Sequence, residues 1–457
     1  MNRFLLLFTL LLQPLLADNQ TPDVSTVYPE TPLPYSLQID SASFNLPSGI
    51  QAYASAIYKE KWVLIAGRTN GLHDFSNVGN NFPPNFQNTT IYVVDPESGS
   101  ATSRDLTAGS GLSQDVIDCL SVTASQSFQD GRVLYIVGGY GINTGTGEME
   151  TKSTLTAINL KELIHWVEGK KSSLTKVVRQ TSHPLLQVTG GFLFQNSSHD
   201  PFLLMLGQNF IGLYKDDSNG IYTQQIRPFW LVDDGDRLAI LPHVSATTFP
   251  DYRRRDLNIV PILRRNQPAY AILGGVFTTT TGVWTVPITV FPDGSSFEPD
   301  PTAASTFKQA MNHYNCPAFG LYSTKTQDMY VVLPGGISYG YFDNGTFTTD
   351  PEFPFINQVT TIQIDRNDNY TQFLMDAVYP VIQSGGNDLR FGAEAVFFPK
   401  DGIKLYHNGV IQLDKIKEST VIGYIVGGIA SQVANTTNPL TETTSSPYIF
   451  TVTLTPR

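Results

Sequence analysis

The chain predicts an all-β fold, a six-bladed β-propeller of four-stranded antiparallel blades. Three observations carry that expectation: a glycine-ended apolar run recurring six times, a partner run ahead of each, and a composition suited to strands and turns. The runs are WVLIAG ending at Gly67, LYIVGG with Gly138, LLMLG ending at Gly207, AILGG with Gly274, VVLPGG with Gly335 and YIVGG with Gly427. They lie about 71, 69, 67, 61 and 92 residues apart, at or above the period of propeller blades. Each follows a second apolar stretch across a short polar turn, as in CLSVTASQSFQDGRVLYIVGG with its Asp130-Gly131 pair, which reads as two adjacent antiparallel strands. A third strand follows after a variable loop, as in TTIYVVDP from Thr89, STLTAINL from Ser153 and GVWTVPITV from Gly282. A more polar fourth completes each unit.

A β-sandwich pair has no reason to repeat one glycine-ended strand at blade spacing, and the coils of a β-helix are much shorter. The 92-residue interval contains DGIKLYHNGVIQL, whose Asp401-Gly402 and Asn408-Gly409 are turn signals. It reads as a hairpin inserted in the last blade, so six blades are preferred to the alternative of seven. The last unit stops at PYIFTVTLTP, while YSLQIDSASFNL from Tyr35 stands alone ahead of the first. The N-terminal strand is therefore placed to close the last blade and remove a free edge.

These features, a strand-turn-strand unit ending in Gly-Gly, a long loop and an aromatic-containing third strand, resemble the Kelch family over nearly all of residues 35–457. The chain departs from the family's pattern where the Trp after the third strand is mostly missing, and where the runs at Gly67 and Gly207 carry one glycine in place of two. GRTNGLHDF and RRRDLNIVP are similar to segments of uncharacterised exported bacterial Kelch-repeat proteins.

Residues 1–17 read as a signal peptide, with Arg3 ahead of a leucine-rich run and Ala17 as a small residue for cleavage. The run is shorter than the ~20 residues a bilayer span needs, and Gln13 and Pro14 interrupt it. The expected product is exported to a periplasm, a surface or the medium, without an integral membrane segment after cleavage. Residues 18–34 read as a flexible N-terminal segment and 35–457 as one monomeric propeller domain. With 29 basic against 40 acidic residues the net charge is −11, which argues against nucleic acid as a partner. Cys119 and Cys316 fall in units on opposite sides of a ring of six, too far apart to bridge, so both are expected as free, buried thiols.

In a four-stranded propeller the loop entering each inner strand and the loop after the second strand open on one face. That face collects Arg68, Asn70, His73 and Asp74 on one short loop, the run Arg253-Arg254-Arg255-Asp256, and Asn312-His313-Tyr314, with Asp115, Asp118, His183 and the loop Tyr140-Gly141-Ile142-Asn143 nearby. The expected ligand-binding set is Arg68, Asn70, His73, Asp74, Arg253, Arg254, Asp256, His313 and Tyr314. Guanidinium groups beside His, Tyr and carboxylates suit a carboxylate-bearing or hydroxyl-rich ligand. Each also has a structural reading: the arginine run as a solvated or Asp-paired loop, and His183 and His313 as residues bonding blade to blade.

Other chemistry is weakly signalled. Asp365-Arg366-Asn367-Asp368-Asn369 has the oxygen spacing of a calcium loop, but Tyr370 stands where the turn wants glycine, so it reads as a strand-connecting turn. The Gly139 to Gly145 segment lacks the strand-to-helix setting of a phosphate loop. The sequons at Asn88, Asn196, Asn344, Asn369 and Asn435 arise easily in so Asn- and Thr-rich a chain. No cofactor or metal is expected.

The leading expectation is an exported binding module for a glycan, peptide or surface partner. The alternative is a carbohydrate-active enzyme: the Kelch resemblance brings in a sialic-acid mutarotase, for which Arg68 or Arg254 would hold a carboxylate while His73, His313 or Glu394 moved protons. A copper-radical oxidase, also in that family, is poorly matched by His313-Tyr314-Asn315-Cys316.

Overall fold

The computed structural model describes residues 20–215, 220–243, 247–279 and 282–457; the expected signal peptide lies outside them. The second strands of the repeat, such as Lys61–Ile65 and Val133–Val137, are buried on both faces, which is why they read as continuous apolar runs and not as alternation. Each pairs with the strand before it and the strand after it, giving meandering sheets whose strands run in sequence order outwards from an axis. The architecture is an all-β propeller of four-stranded antiparallel blades.

Six four-stranded sheets were expected. Five are four-stranded, and the unit holding Phe319–Ser323, Asp328–Ile337, Phe355–Ile364 and Tyr370–Val378 is six-stranded, because both of its edges accept a parallel strand. Val27–Pro29 adds to its outer strand and Ile411–Gln412 to its inner one. Residues 20–34, expected as a flexible tail, are thus built into the edge. Glu30 is buried against Arg457 and accepts from the Asp376 backbone amide, and the Gln20 side-chain carbonyl accepts from the Thr285 and Val286 amides. The 401–412 insertion turns at Asn408-Gly409 as expected, but its strand leaves its own sheet for the neighbouring six-stranded one, and Asn408 reaches the sheet beyond, donating to the Ile262 carbonyl.

The last sheet is closed by the N-terminus. Tyr35–Ser41 pairs antiparallel with Ile449–Pro456, from Tyr35 opposite Pro456 to Ser41 opposite Phe450, and buries Tyr35, Leu37 and Ile39. The core lies between neighbouring sheets and follows the chain around the ring. One cluster joins Val63 and Ile91 to Leu134 and Ile158, and the last joins Phe398 and Val426 back to Trp62 and Tyr92. The helix Leu160–Val167 interrupts the second sheet before its outer strand, a departure the repeat pattern did not signal. Asn159 caps it by accepting from the Glu162 amide, and Trp166 is fully buried.

The departures at Gly67 and Gly207 have a local explanation. Both occupy the second doublet position with φ of 84° and 80°, and a Cβ there would meet the Gln51 or Thr189 carbonyl at 2.4 or 2.6 Å. The first position is held by Ala66 and Leu206, at φ of 63° and 60°, so only the second position demands glycine. Cys119 and Cys316 are free and buried, and Asp365 caps its own turn by accepting from the Asn367 and Asn369 amides.

Leu37→Ala leaves a cavity under the closing strand. It should lower the free energy of unfolding by about 2–5 kcal/mol, read by chemical denaturation.

Candidate functional site

One residue from each sheet's entry loop reaches the axis in the left-handed conformation: Ala52, Ala124, Gly190, Asp256, Asn315 and Glu394, with φ between 41° and 66°. Backbone hydrogen bonds run from one to the next. Ala52 donates to Glu394 at 3.3 Å, Gly190 to Ala124 at 3.0 Å, Asp256 to Gly190 at 3.0 Å and Glu394 to Asn315 at 2.9 Å. This ring divides the axial space into an upper cavity of about 80 Å³ and a lower one of about 400 Å³, and Asp256 and Glu394 line both. Three ring positions carry small residues and three carry polar ones, so the polarity is concentrated on one side.

The layer above repeats the pattern. The residue preceding each ring member is Gln51, Thr123, Thr189, Arg255, Tyr314 or Ala393, and all but Ala393 bridge antiparallel to the residue after a doublet glycine. The chemistry again falls on the fourth and fifth sheets. Arg255 Nη1 donates to Asp256 Oδ2 at 2.7 Å, with both side chains 11% exposed, and its remaining donors reach the Tyr222 and Tyr214 hydroxyls. The Asp256 carboxylate lies where a side chain on Gly190 would stand, 2.6 Å from its absent Cβ. The roof is aromatic. His73 packs on Phe82 and Tyr214 at ring-centroid distances of 4.5 and 5.0 Å, and Tyr140 and Phe210 complete the cluster. The Tyr140 hydroxyl donates to the Gly212 carbonyl and ties the loop of the third sheet down over the mouth.

Burial sets the protonation states. Glu394 is pushed up to about 8, first by loss of solvent and then by the Asp256 charge, against an opposing hydrogen bond from Asn315. Burial also raises Asp256, while Arg255 and the Tyr314 hydroxyl favour its charged form. Burial opposes the charge on Arg255, yet Asp256 holds its pKa well above the usual value. His73 is pushed down to about 4, chiefly by burial. Its Nδ1 donates to the Asp74 carbonyl, so it is a neutral ring at neutral pH. The chamber therefore offers an acid hydroxyl from Glu394, a phenol from Tyr314 and an internally balanced Arg255–Asp256 pair. That is equipment for hydroxyl recognition or for proton transfer.

Of the residues singled out from sequence, His73, Tyr140, Asp256, Tyr314 and Glu394 line the upper cavity. The others are taken up by the fold. Arg68 is 1% exposed, bonded to Asn70 Oδ1 and the Pro83 carbonyl and set over the Phe82 ring. Asn70 is accordingly its partner, and Asp74 caps the Phe75 amide. Arg254 is fully buried, donating to the carbonyls of Asp251, Gly274 and Val286, with Glu298 at 3.4 Å. Arg253 bonds the Phe277 carbonyl and stacks on Tyr222. His313 bridges the Gly335 carbonyl, to which Nδ1 donates, and the Thr360 hydroxyl, from which Nε2 accepts. Asp118 is buried against Thr144. The residues missed are Arg255, Tyr214 and Phe82. Arg255 is found by aligning the entry loops back from the doublet glycines, which places it, and not its two neighbours, beside the ring position. Among the described residues no cluster of His, Cys, Asp and Glu has the make-up to hold a metal ion, and no helix is long and apolar enough to cross a membrane.

No family model and no curated protein matches this chain. Among solved structures it is similar to that of YjhT, at 11% identity and a TM-score of 0.44, over 90% of this chain and 98% of that one.

Two outcomes follow. Arg254→Ala strips donors from buried carbonyls and should cost about 3–5 kcal/mol of stability by chemical denaturation. Because the folded pKa of Glu394 is raised, its contribution to stability is complete below the ordinary carboxylate pKa and is lost as pH rises through about 8. Thermal melts between pH 5 and 9 should show the wild type losing stability relative to Glu394→Gln as pH rises.

Proposed function

We propose that this chain is an exported binding module, a divergent Kelch-type ring of six blades with the six-stranded sheet counted as one. Its ligand is the neutral, hydroxyl-rich end of a glycan, one polar group of which enters the upper chamber. The observation carrying this reading is the state of the charges at the mouth. Arg68, Arg253 and Arg254 are spent on backbone carbonyls, and Arg255 already holds Asp256. A ligand carboxylate would have to displace Asp256, whereas hydroxyls find a donor in Glu394, acceptors in Asp256 and the Tyr314 oxygen, and an aromatic roof for the apolar face of a sugar. A cavity of about 80 Å³ takes a few atoms, which fits a terminal group.

A saccharide array followed by calorimetry tests this. Neutral saccharides should bind the wild type in preference to acidic ones, and Arg255→Met should weaken binding about tenfold or more, the worth of a hydrogen bond to a charged group. A preference for acidic saccharides, or capture of none, overturns the reading.

A second reading is mutarotase-type acid–base catalysis on a sugar. The juxtaposition of Glu394, pushed up to about 8, with an Asp256 paired to Arg255 favours it, since such unlike pairs assign acid and base roles. NMR exchange between sugar anomers should then be accelerated by the wild type and fall to the buffer rate in Glu394→Gln; buffer-rate exchange with both proteins rules it out.

A further inference from the structure

The lower chamber differs in chemistry from the upper one. It spans about 400 Å³ and no Lys, Arg or His among the described residues lines it, while Asp256 and Glu394 stand at its inner end. The inner strands of the first two sheets contribute Ser55, Ser125, Gln126 and Ser127, and those of the third and sixth contribute Phe192, Phe194 and Phe397. Gln126 is 2% exposed; its amide donates to the Ala124 carbonyl, but its side-chain carbonyl has no partner, and neither has the Ser125 hydroxyl. Buried acceptors without donors are costly. Two carboxyl groups, aromatic faces and no cationic side chain among the described lining residues together describe a site complementary to a positively charged hydrogen-bond donor on an apolar stem.

We propose that the lower chamber is a separate binding site for an organic ammonium ion, its head between Asp256 and Glu394 and its stem along Phe192, Phe194 and Phe397. The site shares Asp256 and Glu394 with the upper chamber, but the walls that would hold the stem, Phe192, Phe194 and Phe397, line the lower one and not the upper. The groups sharing the ring region with Glu394 are Asp256, Arg255, Tyr314, Tyr214, His73 and the Asn315 amide. Of these, Arg255 is already engaged by Asp256. An ammonium beside Glu394 favours its carboxylate, so binding near neutral pH sends the Glu394 proton to the buffer.

Calorimetry with n-pentylamine and 1-pentanol, in phosphate and in MOPS at pH 6 to 9, tests the assignment. The amine should bind at least tenfold tighter than the alcohol. Its affinity should rise about tenfold per pH unit up to about pH 8 and level off above, with close to one proton released at pH 7. Ser127→Phe, which fills the chamber from the second sheet, should abolish amine binding and leave saccharide binding unchanged. Thermal melts confirm that the variant is folded. Equal binding of amine and alcohol, no proton release, or amine binding that survives Ser127→Phe in a folded protein overturns the proposal. Loss of the saccharide reading alone leaves it standing.

Discussion

The axial ring is the constraint on which the rest of the molecule depends. Six loops must converge where there is no room for side chains to cross. The chain meets this by turning each loop through a left-handed residue, whose backbone bonds to the next around the circle. An αL conformation costs a non-glycine residue about 1 kcal/mol or more, yet only Gly190 among the six is a glycine. The strain is held by the inter-sheet cores on either side and directs three polar side chains, Asp256, Asn315 and Glu394, to one point.

That convergence explains the unusual electrostatics. Asp256 and Glu394 are distant in sequence and would both ionise at neutral pH if exposed; drawn together and away from water, they cannot both do so at ordinary values. Burial raises both: Arg255 and the Tyr314 hydroxyl oppose the shift at Asp256, whereas Glu394 has only the Asn315 hydrogen bond against it and is pushed up to about 8. The other arginines of the same run serve the scaffold, since buried carbonyls around Gly274 and Val286 need donors and Arg254 supplies them. One stretch of three arginines thus divides into a surface stack, a core fastener and a site residue. The spacing of strand pairing alone separates the three.

Edges are the second problem of a propeller, and this chain treats them generously. The closing strand Tyr35–Ser41 pairs the two ends of the chain, and the segment ahead of it continues to the neighbouring sheet as a parallel addition. The 401–412 insertion does the same at an inner edge. Each addition covers backbone groups that would otherwise offer a template for association.

The repeat, the strand order, the N-terminal closure and the free cysteines were legible in the sequence, because doubly buried strands give continuous apolar runs and because one glycine per unit is sterically compelled. Even the single-glycine runs at Gly67 and Gly207 kept the glycine that matters. Of the residues named from sequence, His73, Tyr140, Asp256, Tyr314 and Glu394 line the upper cavity. Sequence could not tell Arg255 from Arg253 and Arg254, or expose Arg68 and His313 as structural, because adjacent residues of one loop point in different directions and their partners lie far along the chain. The pairing of Glu394 with Asp256, the two chambers and the parallel strands at both edges of the six-stranded sheet arise only when distant loops meet at the axis. Local pattern specifies which strands form and in what order; which polar side chains share a dry space is decided by closure of the ring.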